Sequence, residues 1–379
     1  MEQTYAWQVS HTGVKKLWDL GINGEGIIVG HLDTGVSNNH PALKGKIAHF
    51  GMVNDHWEVE QKAATDINDH GTHLAGLICG EAIDNYHYSM APGAKLSSIQ
   101  CHGTGTDLTD TLVGLDWLQS NGVKLICLPM GIKRYNPILE AFFEALRRDG
   151  VLVICPSGNY GPSVITSPGH SFNCLSVGSL DPDGSVSDFS GSHWNSTIQK
   201  CEGPDLLVPG SYIYSLAPNG QMAKLSGTSQ SCAIAAGCIA LLMQTFPSIS
   251  PWRIAQALLI TAGKTHLFRK EHSVKGTINL GRAYEVLQKS APFDAAIVGK
   301  TPPSFIDPKL KRLIKSNKEL NCIVVAQKEF DIQDLISETS GIVCYKLFKQ
   351  ANTAIIKARS RPVMRLMQSE HVQMMSYCV

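Results

Sequence analysis

Apolar positions in this 379-residue chain come as short unbroken runs separated by stretches with helical spacing. Residues 26–32 are largely apolar and β-branched and stop at Asp33, the pattern of a buried strand that delivers a polar side chain at its carboxyl end. Similar runs recur at 95–100, 123–128, 151–155 and 174–177. Between them, Leu108, Leu112, Leu115 and Leu118 fall near helical spacing over 107–118, and Pro137 opens a second helical pattern that reaches Leu146. Two further helices are read over 229–246 and 251–261. Alternating strands and helices predict an α/β fold: a mostly parallel central sheet with helices on both faces and a site at the strand carboxyl ends.

The pattern changes near 291–308, where prolines and small residues gather. Beyond Glu319 it starts again, with strands expected at 321–326, 342–348, 354–358 and 371–377 and helices at 331–340 and 362–368. That order, strand-helix-strand-strand-helix-strand, predicts a small α+β ferredoxin-like domain. The chain is thus read as a domain over 1–290, a linker over 291–318 and a second domain over 319–379.

Four short strings carry candidate chemistry: Leu32-Asp33-Thr34-Gly35, Asp69-His70-Gly71-Thr72-His73, Ser157-Gly158-Asn159 and Ser226-Gly227-Thr228-Ser229. A serine hydroxyl is a weak nucleophile until an imidazole takes its proton, and that imidazole needs a carboxylate to hold its tautomer and stabilise its cation. Asp33, leaving a buried strand, would be costly there unless strongly hydrogen bonded, which suits the carboxylate role; taken alone it also fits a turn or cap. His70 opens a helix of small residues and is the candidate general base and acid. Ser229 opens another helix, whose amino end offers partial positive charge to an oxyanion. Cys232, one turn further, is a second candidate nucleophile. His73 also lies one turn from His70, but with no glutamate between them and no third ligand motif the pair does not read as a zinc site.

This order of Asp, His and Ser, with these neighbours and with Asn39-His40-Pro41, resembles the subtilisin family over roughly residues 8 to 285. The resemblance implies a serine endopeptidase acting through an acyl-enzyme, with Asp33, His70 and Ser229 as its triad. Asn159 would join the Ser229 backbone N–H as oxyanion donor, a contribution of about 2.7–4 kcal/mol for the corresponding asparagine of that family. Leu128, Pro129, Met130 and Gly131, with Ser157 and Gly158, would bind substrate as an added β-strand. Pro129 replaces the usual serine and lacks a backbone donor, so one peptide contact would be missing. Met130, as a pocket wall, would suit apolar or aromatic side chains.

The resemblance also has departures. Ala233 stands where the family has proline, which opens a peptide ligase or macrocyclase reading; an inactive peptide-binding pseudoprotease is a third. Ala42 replaces an aspartate of the family's calcium site and residues 81–90 lack its calcium loop, so no metal is expected, nor any cofactor. The segment from Glu319 on, with its Ala351-Asn352-Thr353-Ala354 crossing, resembles the inhibitory propeptide that subtilisins carry at the amino end. Such a domain would dock on the catalytic one or bind substrate.

With 43% hydrophobic residues the chain can bury a large core, and a net charge of +1 gives no field that selects nucleic acid or a membrane surface. Eleven scattered cysteines and the lack of a secretory signal lead to the expectation of a cytoplasmic protein with reduced thiols. A processing role on one peptide or protein precursor fits that setting.

Overall fold

The computed structural model describes residues 3–378, apart from 102–106, 132–136, 196–199, 218–219, 264–273, 290–304, 307–309, 311–312, 314–318, 327–330, 349–351 and 370–371. Eight strands form the central sheet: Ile28–Asp33 (β1), Ile47–Val53 (β2), Val59–Glu60 (β3), Lys95–Gln100 (β4), Leu125–Cys127 (β5), Leu152–Pro156 (β6), Leu175–Leu180 (β7) and Leu206–Pro209 (β8). Their order is β8-β7-β6-β5-β1-β4-β2-β3. All neighbours are parallel except β3, which runs antiparallel to β2 at one edge.

Helices cover both faces, which is why these strands read as unbroken apolar runs. Leu125, Leu152 and Ile154 face one layer with His70–Cys79 (α1) and Thr228–Thr245 (α4). Their alternate neighbours Ile126 and Val153 face Leu108–Ser120 (α2) and Pro137–Arg148 (α3). The predicted helix at 107–118 starts one residue later because Asp107 is its N-cap, its carboxylate accepting the N–H groups of Thr109 and Asp110. The chain order reverses around β1, so a crevice opens beyond the carboxyl ends of β1, β5 and β6. Two strands not anticipated, Ile213–Leu216 (β9) and Met222–Leu225 (β10), form a hairpin beside α1. Among the described residues no helix is long and apolar enough to cross a membrane.

A second sheet of five strands follows: Phe305–Ile306 (β11), Glu319–Ala326 (β12), Ile342–Phe348 (β13), Thr353–Arg359 (β14) and Val372–Cys378 (β15), in the order β11-β15-β12-β14-β13. Helices Ile332–Glu338 and Ser360–Gln368 connect its strands. The stretch expected to be a linker therefore contributes a strand, because Phe305 and Ile306 pair in parallel with Met374 and Met375. Most of 291–318 and Ala351 lie outside the described residues. Asn352 at the crossing accepts the Ile332 N–H at 2.8 Å, tying the start of a helix to the β13–β14 turn.

Strand β12 is apolar on both faces. Cys322, Val324 and Ala326 pack on this sheet's own helices. Ile323 and Val325, with Phe348, Ile355 and Met374, share a cluster with Leu112, Leu115, Phe142 and Phe143 of α2 and α3. The rings of Phe142 and Phe348 meet edge to face at 5.6 Å, a pairing worth about 0.5–1.5 kcal/mol beyond its burial.

Candidate active site

Asp33 ends β1 and is buried, and two glycines let helix α1 approach it. A Cβ on Gly35, whose φ is +112°, would lie 2.0 Å from the Thr65 carbonyl oxygen, and one on Gly71 would lie 2.0 Å from the Gly35 carbonyl oxygen. Nothing larger than hydrogen fits between them. Asp66 fastens the same junction: its carboxylate accepts the Thr34 hydroxyl at 2.7 Å and the Thr72 N–H at 2.7 Å, while the Thr34 oxygen accepts the Gly71 N–H at 3.0 Å. Asp66 escaped the sequence reading, although an acidic residue just before a helix start is a recognisable capping signal.

His70 Nδ1 consequently meets Asp33 Oδ1 at 2.8 Å and Oδ2 at 3.1 Å, and Oδ1 also accepts the Thr34 N–H at 2.6 Å. Burial pushes the Asp33 carboxyl up, but the charge and hydrogen bond of His70 and the Thr34 N–H outweigh it and hold the pKa below the usual value. Burial likewise lowers His70, and the Asp33 charge and hydrogen bond overcome it, so its pKa is raised above 6.5. His73, one turn on, has no such partner: burial drives its pKa down to about 4, with Nε2 3.3 Å from the Ala223 carbonyl oxygen.

Ser229 is the second residue of α4, after Gly227 and Thr228, and its N–H has no helical acceptor in this first turn. Its hydroxyl donates to the Pro129 carbonyl oxygen at 3.0 Å. The expected hydroxyl-to-imidazole bond is thus replaced by one to the Pro129 carbonyl. Asn159 Oδ1 accepts both the N–H and the hydroxyl of Thr228 at 2.9 Å. Its carbonyl end is so occupied that the amide's NH₂ is the end left for a ligand.

A cleft of about 320 Å³ joins these groups, lined by Asp33, His70, Asn159 and Ser229 together with Pro129, Met130, Gly131 and Gly158. Two expected substrate contacts are not on that surface. Ser157 is buried with its N–H donated to Val177 O and its carbonyl taken by Thr166 N–H, and Leu128 is buried in the core among the α2 and α3 side chains. Conversely Thr34, Asn68, Pro156, Tyr160, Thr166 and Thr228 line the cleft without having been singled out. Thr166 fills the gap between the two glycine walls: a Cβ on Gly131 would meet its Oγ1 at 2.4 Å and one on Gly158 its Cγ2 at 2.6 Å. Among the described residues no cluster of His, Cys, Asp and Glu could hold a metal ion.

An aspartate-imidazole pair, a serine at a helix amino end and an asparagine amide around one cleft define a serine hydrolase site on an α/β sheet. Residues 24–281 match the Subtilase family, and the chain belongs to it. It is 31% identical to Subtilisin BL of Lederbergia lenta over 271 residues, covering 70% of this chain and 95% of that protein. It is 30% identical to the Major intracellular serine protease of Bacillus subtilis (strain 168) over 235 residues, covering 60% of this chain and 71% of the relative. With Serine protease AprX of the same organism the identity is 32% over 280 residues, 62% of this chain and 61% of that protein. The chain is a subtilisin-like serine endopeptidase.

Proposed function

We propose that Asp33, His70, Ser229 and Asn159 carry the reaction. The Ser229 hydroxyl turns from Pro129 to His70 Nε2, which takes its proton as Oγ attacks the scissile carbonyl. Asp33 holds Nδ1 and stabilises the imidazolium, and the Asn159 amide and Ser229 N–H receive the oxyanion at the positive end of α4. His70 then protonates the leaving amine; in deacylation it takes a proton from a water that attacks the acyl carbon, and returns that proton to Ser229 Oγ as the ester bond breaks and the acid product leaves. The observation that carries this reading is the bidentate contact of His70 with a buried Asp33, on the cleft that Ser229 also lines. A fluorophosphonate should label wild-type chain and not Ser229→Ala; equal labelling of both would exclude Ser229 as nucleophile. An amine acceptor added to the peptide assay reads how the acyl-enzyme divides between hydrolysis and ligation.

Substrate lies extended against Pro129, Met130 and Gly131, and the residue before the cut enters the recess floored by Thr166. Small to medium apolar side chains suit that recess better than the aromatic ones that Met130 alone would favour.

The sheet from Phe305 to Cys378 acts as a propeptide-like module: it shields the outer faces of α2 and α3 and assists folding of the peptidase or restrains it. Support comes from the cluster that Phe348, Ile323 and Met374 share with Phe142. Adding the isolated 300–379 segment to a 1–290 chain should restore folding yield or lower activity; neither effect at saturating segment would dismiss the role. Eight buried free thiols among the described residues support a reducing, cytoplasmic setting, with a dedicated peptide or protein precursor as substrate.

A further inference from the structure

On the strand that delivers Asp33, a second histidine lies two residues earlier. His31 and Asp33 share one face of β1, and both are buried. His31 Nδ1 is 3.0 Å from Ser98 Oγ on β4, opposite it in register, and Nε2 is 3.9 Å from Asp33 Oδ2. Nε2 has no hydrogen-bond partner among the described residues. The Asp33 oxygen that faces it is the less engaged one, since Oδ1 takes both the Thr34 N–H and the shorter His70 contact.

These contacts set the tautomer. A proton on Nδ1 would leave the Nε2 lone pair aimed at a carboxylate in a dry interior, where like-signed partial charges repel strongly. With Ser98 donating to Nδ1, the proton sits on Nε2, with Oδ2 the near carboxylate oxygen at 3.9 Å. Other ionisable groups around the ring are Asp66 and His70 across the junction and Cys127, its register partner on β5. Burial lowers the pKa of the ring, against the pull of the Asp33 charge.

We propose that His31 is a positioning residue for the triad: its Nε2–H, beside Oδ2 of Asp33 at 3.9 Å, biases the carboxylate electrostatically and moderates the field that Asp33 exerts on His70. The inference rests on the triad reading above. Without that dipole, the negative charge of Asp33 acts on His70 with less opposition. The imidazolium is then favoured, and neutral His70, the form that accepts the serine proton, appears only at higher pH.

His31→Leu should lower kcat at least about tenfold, leave KM within about twofold, and move the acid limb of kcat/KM to higher pH. His31→Gln, which keeps an N–H in reach, should recover most of the loss. Long-range ¹H–¹⁵N spectra of histidine-labelled wild type should show His31 protonated on Nε2. An Nδ1-protonated ring, an unmoved acid limb in His31→Leu, or equal losses in the Leu and Gln variants would overturn the proposal. Should His31→Leu fail to fold, Ser98→Ala carries the kinetic arm: it removes the Nδ1 partner and should move the limb the same way, and an unmoved limb counts against the role. Fluorophosphonate labelling of wild type runs alongside, so that an unlabelled Ser229 removes the triad reading itself, whereas labelling with unchanged profiles removes only the role of His31.

Discussion

The cleft and the seam between α2, α3 and the C-terminal sheet are held together by opposite means. Around Asp33 a handful of directional bonds fix groups that would be costly to bury unpaired. Along the seam, Phe142, Phe143, Ile323, Val325 and Phe348 interlock by shape and apolar area, with no bond that sets a proton's place. The first arrangement spends stability on a pre-set geometry; the second supplies stability without chemistry. Substitutions in the two regions should therefore separate rate from stability.

The largest effect belongs to the proposed nucleophile. Ser229→Ala should cut kcat by about 10⁴–10⁶-fold while thermal unfolding stays within a degree or two of wild type, measured by peptide turnover and calorimetry. A large drop in Tm would mean that the hydroxyl bond to Pro129 is structural. At the seam the reverse is expected: Phe348→Ala should cost roughly 3–5 kcal/mol in denaturant unfolding, with kcat of the folded fraction unchanged. Loss of kcat at full folding would tie the seam to the cleft.

His70 and His73 sharpen the same contrast within one helix. The folded pKa of His73 is depressed to about 4, so its contribution is present above its unfolded value near 6.5 and is lost as pH falls toward 4. Roughly 3 kcal/mol of stability should disappear across that window, and His73→Leu should flatten it. His70 is raised instead, so its contribution is complete below 6.5 and is lost as pH rises through the raised value. Activity needs the neutral ring and grows over that same rise. The smallest effect is on selectivity: Thr166→Gly should open the recess between Gly131 and Gly158 and raise kcat/KM for peptides with a large residue before the cut by about tenfold, leaving small-residue peptides nearly unchanged.

Much of the sheet could be read from the chain because buried parallel strands leave unbroken apolar runs, as at 95–100, and the pattern at 137–146 falls on a helix that covers it. Strands Val59–Glu60 and Met222–Leu225 are short and half-exposed and carry no run to detect, and Ile47–Val53, Leu206–Pro209 and Ile213–Leu216 escaped as well. The candidate site strings were legible because glycine, histidine and serine stand at element ends where a helix or strand must stop. Asp66 was not, since its value lies in a bond to Thr34, thirty-two residues away along the chain.

By itself the sequence determined where many of the strands and helices fall and which side chains stand at their ends, because periodicity and end chemistry are local. Only the tertiary structure decided the rest: that Ser229 rests on Pro129, that Ser157 turns into the core, that Thr166 floors the recess, and that His31 faces Asp33. Each of those depends on atoms from distant segments meeting within a few ångströms, and no local pattern encodes such a meeting.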